Sequence, residues 1–151
     1  TELYNRRFME EALAKELKRA DRNARPLAVV MLDLDHFKSI NDTFGHPIGD
    51  AVLQELAMKL QVETRTQDLV ARIGGEEFMI VLPNTNKEHA RVIAERIRLN
   101  IDHGSWKHAR ITVSIGVTTY EHDDNLSKLF SKADDALYRS KKGGRNCVSV
   151  N

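Results

Sequence analysis

The feature that most constrains the fold is a run of six apolar residues, Leu27 to Leu32, bounded by Pro26 and Asp33. Six residues make a very short helix, and the run is far too short to span a bilayer. A continuous apolar run of this length is typical of a strand that is covered on both faces. The sequence therefore predicts a central β-strand with other elements packed on each side of it.

Hydrophobic periodicity divides the rest of the chain into helices and strands. Apolar residues at helical spacing predict four helices, and short or alternating apolar stretches predict four further strands. Gly74-Gly75 separates two of these strands and predicts a tight hairpin. The polar stretch after the first strand is assigned to no element. The predicted order is α-β-α-β-β-α-β-α-β, with helices over residues 8–20, 48–60, 90–101 and 126–137 and strands over residues 27–32, 69–72, 78–82, 111–117 and 147–150.

The position of the hairpin decides the fold class. A hairpin inside a series of alternating helices and strands argues against a purely parallel, doubly wound sheet. It favours an α+β fold of the ferredoxin-like type, with a mixed or antiparallel sheet of about five strands covered by helices. No repeat and no Pro-rich or Ser-rich linker divides the 151 residues, so we predict a single domain over residues 1–151.

Charge and cysteine content restrict the partners and the compartment. Lysine and arginine number 23 against 22 aspartates and glutamates, a net charge of +1, which provides no bulk attraction for nucleic acid or an anionic membrane. A polyanionic ligand must therefore be held locally. Cys147 is the only cysteine, so no intrachain disulfide forms. We expect a cytoplasmic domain without nucleic-acid or membrane contacts, and leave open whether a longer chain is anchored in a membrane.

Two aspartates follow the predicted central strand. Asp33 and Asp35 flank Leu34, and we expect their side chains to lie on opposite faces, so that only one is directed at a given site. We choose Asp33 as that residue and expect Asp35 to cap a helical turn that begins at His36. Plain solvation of both carboxylates at a strand end is the alternative.

A second acidic feature lies at the predicted hairpin, where Gly74-Gly75 is followed by Glu76 and Glu77. A common Gly-Gly turn with solubilising charges would explain it without a site. The position of the hairpin tip also allows Glu76 to meet Asp33 at the end of the central strand. Two carboxylates and a free backbone carbonyl form an all-oxygen ligand set, which suits magnesium, and the chain lacks the histidine and cysteine spacing typical of zinc.

A magnesium ion that protein only partly encloses generally accompanies a phosphate substrate. Neither G-x-x-x-x-G-K-[ST] nor G-x-G-x-x-G occurs in the chain. A triphosphate would then be held by the metal, by backbone amides near a helix start, and by isolated cations such as Lys38, Lys141 or Arg145.

Several ordered motifs resemble those of the diguanylate cyclase (GGDEF) family. They cover nearly the whole chain, although Glu2 stands where the family often has glycine. Motifs in a consistent order are more specific than any one five-residue match. They are LYNRR at residues 3–7, LDLDHFKSINDTFGH at 32–46, GD at 49–50, RIGGEEF at 72–78, ADDALY at 133–138 and GRN at 144–146.

The resemblance implies a nucleotidyl-cyclase-like fold and the condensation of two GTP molecules into cyclic di-GMP with release of two pyrophosphates. It implies that Asp33, the Leu34 carbonyl and Glu76 hold Mg²⁺ or Mn²⁺. Glu76 is also the implied base for the 3′-hydroxyl proton, and Glu77 is a supporting acid.

Other positions that match the family imply contacts to the nucleotide. Asn41 and Asp50 match guanine-recognising positions, a role that suits an amide and a carboxylate chemically. The remaining implied contacts are Phe37, Lys38 and His46 along the nucleotide, Lys141 and Arg145 at the phosphates, and Gly75, where a Cβ would clash with the ligand.

These positions also have purely structural interpretations. His46 with Pro47 would shape a helix entry. Asn41 would bond its own backbone in a turn. Lys141 and Arg145 would be ordinary cations at a helix C-terminus.

Arg65-Thr66-Gln67-Asp68 has the R-x-x-D spacing of the family's product-inhibition site, and five residues separate it from Gly74. The resemblance implies feedback binding of cyclic di-GMP, with Arg65 on phosphate or guanine and Asp68 accepting from the base. Arg96 and Arg19 match positions that supply additional cations. A surface ion pair of little energetic value is the alternative.

Joining two GTP molecules requires two catalytic sites, whereas a domain of this size has one. We therefore expect a homodimer whose domains face each other, and an upstream sensory or dimerising region in a longer chain. Two other functions remain open: a receptor that binds GTP or cyclic di-GMP without turnover, and a nucleotidyl cyclase with a different product.

Overall fold

The computed structural model describes residues 3–151, so Glu2 and its departure from the family pattern lie outside it. No helix among these residues is both long and apolar enough to cross a membrane. The described residues form five helices and five strands: α1 (Arg6–Asn23), β1 (Leu27–Leu34), α2 (Phe37–Phe44), α3 (His46–Glu63), β2 (Leu69–Arg72), β3 (Glu77–Pro83), α4 (Lys87–Asp102), β4 (Val113–Thr119), α5 (Leu126–Lys142) and β5 (Val148–Val150).

The apolar run forms β1, the central strand of the sheet, and all eight residues of β1 are buried. β3 and β4 pair with β1 on either side in antiparallel register. The strand order is β2-β3-β1-β4-β5, and β5 joins β4 in parallel, which makes the sheet mixed. The predicted α+β fold, with about five strands covered by helices, is confirmed.

Alternate residues of β1 belong to two separate cores. Val30 and Leu32 pack with apolar residues of α3 and α4, whereas Val29 and Met31 pack with residues of α1 and α5. This alternation follows from the period-two geometry of a strand. Because helices cover both faces, the strand can present a polar side chain to a ligand only near its ends, and Asp33 is where the apolar run stops.

α2 was not predicted from the sequence, and α3 begins at His46 and not at the predicted Ile48. Ile40 is the only buried residue of α2, so two turns of helix carry too little apolar periodicity to be recognised. The helix also begins without a capping side chain, because His36 adopts a left-handed conformation with φ of 56°. Gly45, with φ of 89°, separates α2 from α3.

Gly116 in β4 sets how closely α5 approaches the sheet. A Cβ at this position would lie 2.2 Å from the Leu137 nitrogen and 2.8 Å from the Ala133 oxygen, both of them helix backbone atoms. The helix therefore packs directly on the strand backbone. The Ser140 hydroxyl extends this contact by donating to the Ile115 carbonyl at 2.6 Å.

Gly116→Ala is expected to lower the free energy of unfolding by about 3 kcal/mol, since the new methyl group meets backbone that cannot rotate away. Urea denaturation measures this change. Gly75→Ala is the matched control, because a Cβ at Gly75 meets nothing within 4 Å, and it should change stability by less than about 0.5 kcal/mol. Equal losses in the two variants would contradict the close approach of α5.

Candidate active site

The tip of the β2–β3 hairpin lies against the end of β1. Asp33 is opposite Glu77 of β3 on one side and Ser114 of β4 on the other. The Leu34 amide donates to the Glu76 carbonyl at 3.2 Å, which joins the hairpin loop to the strand end. The structure therefore brings Asp33, Leu34 and Glu76 to one place, as the sequence analysis predicts.

The Asp33 carboxylate is buried, and its two oxygens have different surroundings. Oδ2 forms an ion pair with Lys141 Nζ, whereas Oδ1 is buried without a hydrogen-bond partner. Burial raises the pKa of Asp33, although the hydrogen bond and charge of Lys141 act in the opposite direction. A buried acceptor without a partner is unfavourable in the protein alone, so Oδ1 is well suited to take a metal ion.

Glu76 and Glu77 add further negative charge at this place. Burial raises the pKa of Glu76, and the charge of Asp33 raises it further. The pKa of Glu77 is raised by burial, then by Asp134 of α5, then by Asp33. Asp134 lies within the ADDALY motif at residues 133–138, and no sequence spacing signalled its proximity to Glu77. Repulsion among these acids would be relieved by a divalent cation.

The donor set fits magnesium or manganese through Asp33, the Leu34 carbonyl and Glu76. In residues 3–151, no group of three or more histidine, cysteine, aspartate or glutamate side chains is arranged to hold a metal ion. Two carboxylates and a carbonyl would leave several positions of an octahedral ion to water or phosphate oxygens.

Arg72 holds the loop of the hairpin. Its guanidinium donates to the Gly75 carbonyl at 2.6 Å and to the Gly74 carbonyl at 3.2 Å. Neither glycine has a positive φ, and a Cβ at Gly75 would meet nothing within 4 Å. The chain itself therefore does not require glycine at position 75, which leaves the open space beside it for a ligand. No sequence spacing signalled the role of Arg72.

Asp33 and Asp35 lie on the same side of the sheet, so the expectation of opposite faces is wrong. Residues two apart in a strand share a face. Ser114, opposite Asp33, donates its hydroxyl to Asp35 Oδ1 at 2.6 Å. Asp35 Oδ2 accepts from the Thr112 hydroxyl at 2.7 Å and from the Asn146 amide at 3.0 Å. Both oxygens of Asp35 accept hydrogen bonds, whereas Oδ1 of Asp33 accepts none.

The expectation that Asp35 caps the following helix is also wrong. α2 begins after His36 without a side-chain cap. Asp35 reaches across to Ser114 of β4 and to the segment after α5 instead. Sequence spacing could not show this, because the three donors are at least 77 residues away along the chain.

Asn41 and Asp50 lie where α2 meets α3. Asn41 packs against Gly49, where a Cβ would lie 1.8 Å from the Asn41 Oδ1 atom. That oxygen is buried without a hydrogen-bond partner, so the interpretation of Asn41 as a turn residue bonding its own backbone is wrong. Asp50 follows Gly49 and is exposed. An unsatisfied amide oxygen and a free-standing carboxylate are suitable acceptors for the N–H groups of a base.

The other predicted nucleotide contacts surround this junction. Phe37 also packs on Gly49, with its Cζ atom 3.3 Å from a Cβ built there. Lys38 is exposed on α2. His46 is the exposed first residue of α3, and Pro47 lies in the first turn of that helix. His46 and Pro47 are therefore placed as a helix entry requires. Phe37, Lys38 and His46 are also placed where they could contact a ligand at the junction.

The two predicted phosphate-binding cations lie near Asp33. Lys141 is in the last turn of α5 and Arg145 comes three residues after that helix ends. Both positive charges lower the pKa of Asp33 against the larger effect of burial. They are helix-terminal cations, as the structural interpretation requires, and they also lie at the acidic site.

The R-x-x-D residues form a compact internal pair. Arg65 donates to both carboxylate oxygens of Asp68, at 2.9 and 3.2 Å, and to the Thr85 hydroxyl at 2.8 Å. The Asp68 side chain is 2% exposed, against 43% for Arg65. Asp68 therefore holds Arg65 in place and leaves the guanidinium facing outwards.

The two additional cations have partners of their own. Arg96 pairs with Glu63 at the end of α3 at 3.2 Å. Arg19 pairs with Glu16 on α1 at 3.1 Å.

Comparison with known families agrees with this geometry. The family model described as "Diguanylate cyclase, GGDEF domain" matches residues 1–147. The chain belongs to the GGDEF domain family. The response regulator PleD of Caulobacter vibrioides is 43% identical over 155 aligned positions, which cover 98% of this GGDEF domain and 34% of PleD. The domain spans about a third or less of the length of such curated relatives.

Solved structures share the same architecture. The active GGEEF domain of a diguanylate cyclase from Vibrio cholerae superimposes with a TM-score of 0.94 and 37% identity, covering 99% of this domain and 97% of that chain. The GGDEF domain of DgcB from Caulobacter crescentus, solved in complex with c-di-GMP, has a TM-score of 0.96 and 32% identity, with 99% and 89% covered.

Glu76→Gln is expected to raise the thermal unfolding midpoint of the metal-free domain at pH 7 by about 2 °C. The pKa of Glu76 lies above its ordinary value of 4.5 in the folded protein, so the ionised carboxylate disfavours folding at neutral pH. Below that ordinary value the group is protonated in both folded and unfolded chains, and the penalty disappears. Calorimetric midpoints of the two proteins should therefore converge as the pH falls towards 4.

Glu88→Gln is the control for this comparison. Glu88 is exposed, and its hydrogen bond to Arg91 lowers its pKa, so the variant should show no rise in midpoint. Added Mg²⁺ should then raise the midpoint of the original chain more than that of Glu76→Gln. A lower midpoint for metal-free Glu76→Gln would show that the acids do not repel one another as described.

Proposed function

We propose that this GGDEF domain is a diguanylate cyclase that condenses two GTP molecules into cyclic di-GMP and releases two pyrophosphates. One observation carries the proposal. A buried, unpartnered carboxylate oxygen of Asp33 lies beside Glu76 at the hairpin tip, with two cations nearby. This combination of acids for a metal and cations for phosphates suits phosphoryl transfer.

Mg²⁺ or Mn²⁺ would be held by Asp33, the Leu34 carbonyl and Glu76. A bound ion would neutralise negative charge that develops on the triphosphate during attack at the α-phosphorus. The protein would contribute two anionic ligands, one at the end of β1 and one in the hairpin loop whose carbonyls Arg72 binds.

Glu76 is the proposed general base for the 3′-hydroxyl of the attacking nucleotide. Its carboxylate lies at the hairpin tip beside Asp33, so one oxygen would hold the metal ion while the other accepts the proton. Glu77 supports it from the first position of β3, where burial and Asp134 keep its own pKa raised.

The guanine base is proposed to bind at the junction of α2 and α3. The buried Oδ1 of Asn41 lacks a donor, and guanine offers N–H groups at its Watson–Crick edge. The exposed carboxylate of Asp50 is a second acceptor. Phe37, Lys38 and His46 would line the nucleotide, and the absence of a side chain at Gly75 would let the backbone approach it.

Lys141 and Arg145 are proposed to bind the phosphates. Lys141 pairs with Asp33 in the protein alone, and a divalent ion on Asp33 would free the ammonium group for a phosphate oxygen. Arg145 supplies a guanidinium on the same side, and guanidinium groups bind phosphate through two parallel hydrogen bonds.

Turnover is proposed to need two copies of the domain. Each copy offers one Asp33–Glu76 site, whereas cyclic di-GMP contains two newly formed phosphodiester bonds. Two domains facing each other would each present a 3′-hydroxyl to the nucleotide of the other.

Feedback by cyclic di-GMP is proposed to act through Arg65. Asp68 already accepts two hydrogen bonds from the Arg65 guanidinium and one from its amide, so its contribution is to orient the arginine. The guanidinium would then bind phosphate or guanine of the product, with Arg96 and Arg19 as additional cations.

Glu76→Gln is expected to lower cyclic di-GMP formation by at least about 100-fold, the effect typical of losing a general base. Liquid chromatography of reactions with GTP and Mg²⁺ measures the product, and Glu88→Gln should keep the original rate. Parallel reactions with ATP and with a GTP–ATP mixture should give no adenine-containing product. GTP binding without turnover in the original chain would indicate a receptor instead.

Arg65→Ala is expected to raise the cyclic di-GMP concentration that halves activity by about 10-fold or more, because a charge-assisted contact is lost. Each inhibition curve is normalised to the uninhibited rate of the same variant. Arg91→Ala removes an exposed arginine that pairs only locally with Glu88 and should leave the half-inhibition concentration unchanged. An unaltered inhibition curve for Arg65→Ala would argue against this feedback site.

A further inference from the structure

The backbone after α5 is held in an unfavourable conformation. Gly144, Arg145 and Asn146 have φ values of 108°, 65° and 45°. Positive φ suits glycine and is tolerated by asparagine, but it is unfavourable for arginine. An arginine in this conformation persists only where other contacts hold it, so the contacts of this turn show what fixes Arg145.

Asp35 supplies the central contact of the turn. Its Oδ2 atom accepts the backbone N–H of Asn146 at 3.0 Å. Asp35 is itself fixed, because the hydroxyls of Thr112 and Ser114 donate to its two oxygens and its own amide donates to the Thr112 carbonyl. Asp35 as a whole is 6% exposed. The turn is therefore tied to the end of β1 and the start of β4.

The Asn146 side chain ties the same turn to α4. Its Oδ1 accepts from Arg98 at 2.9 Å, and its Nδ2 donates to Asp102 Oδ2 at 3.2 Å. The side chains of Arg98 and Asp102 are only 14% and 11% exposed. Arg145 is exposed beside the anchored Asn146, its own N–H donates to the Ser140 carbonyl at 3.0 Å, and it borders a groove of about 410 Å³ beside α2.

We propose that Asp35 is a positioning residue which holds the left-handed turn so that Arg145 faces the triphosphate. The proposal rests on the proposed function, since it assumes that a guanosine triphosphate binds beside Asp33. Asp35 acts through the Asn146 backbone and does not itself touch the ligand. Its carboxylate serves as a hydrogen-bond acceptor in this role, and its charge is not required.

A role for Asp35 as a second metal ligand is disfavoured by its surroundings. Three donors from Thr112, Ser114 and Asn146 already occupy its oxygens. Binding a metal ion would require breaking contacts that hold β4 and the turn. Asp33, in contrast, has one buried oxygen without a partner.

The test compares nucleotide affinities of Asp35→Ala, Asp35→Asn and Arg145→Ala. Calorimetry with Mg²⁺ and an α,β-methylene analogue of GTP reports binding without turnover, and an NMR titration with guanosine reports base binding alone. Asp35→Ala is expected to lower the affinity for the GTP analogue about 10-fold. The affinity for guanosine should stay within about twofold of that of the original chain. Asp35→Asn should recover most of the loss, because it keeps an acceptor for Asn146 while the Ser114 hydroxyl can accept from the new amide.

A double variant identifies the route through Arg145. If Asp35 acts by placing this arginine, Asp35→Ala should weaken the GTP analogue by less than about twofold in the Arg145→Ala background. If the affinity loss of the double variant equals the product of the two single-variant losses, the proposal is overturned. An equal loss of guanosine affinity would also overturn it, as would an Asp35→Asn variant as weak as Asp35→Ala, which would indicate that the charge is needed for metal.

Two further variants separate positioning from general destabilisation. Asp124→Ala removes another buried carboxylate, which pairs with Lys132 far from the site, and should lower the unfolding midpoint without weakening the GTP analogue. If Asp35→Ala fails to fold, Thr112→Val removes one of the hydroxyl groups that fix the Asp35 carboxylate, and a smaller loss of GTP-analogue affinity with unchanged guanosine affinity is expected.

If the original chain binds no GTP analogue, the proposed function fails and this proposal fails with it. If the original chain binds the analogue but the affinity losses of Asp35→Ala and Arg145→Ala multiply in the double variant, only the positioning role of Asp35 is overturned.

Discussion

Helices cover β1 on both faces, and this burial determines where polar chemistry can be placed. A strand that is apolar on both sides has no room for a charged group along its length. Its carboxyl-terminal end is different, because the hairpin loop, the start of β4 and the last turn of α5 all meet there. Asp33 is the residue at which this apolar strand passes into that polar meeting point.

The site is electrostatically unbalanced in the protein alone. Burial raises the pKa values of Asp33, Glu76 and Glu77, and the charge of Asp33 raises those of the two glutamates further. Lys141 compensates only part of the negative charge. Such an arrangement is tolerated because the surrounding cores stabilise the fold independently of the site. The same imbalance favours binding of a cation, so the unfavourable charge distribution and the proposed activity have one physical origin.

Sequence pattern was sufficient to predict the elements whose signal lies in neighbouring residues. The run Leu27 to Leu32 predicted the central strand, and the adjoining Gly74-Gly75 and Glu76 predicted a hairpin that meets its end. Pattern was insufficient where stability comes from contacts distant in sequence. α2 has one buried residue and no capping side chain, and the partners of Asp35 lie on β4 and beyond α5. The expected opposite orientation of Asp33 and Asp35 was avoidable, because strand periodicity alone places them on one face.

Gly116 has a consequence for how this domain can change in evolution. A clash between two side chains can be removed by shortening either one. Most core residues can therefore change in evolution when a partner residue changes with them. The atoms facing Gly116 belong to the main chain of α5, and no substitution in that helix can shorten them. Single substitutions therefore cannot gradually change the distance between α5 and the sheet. The position of the Lys141 ammonium relative to Asp33 is fixed by the same distance.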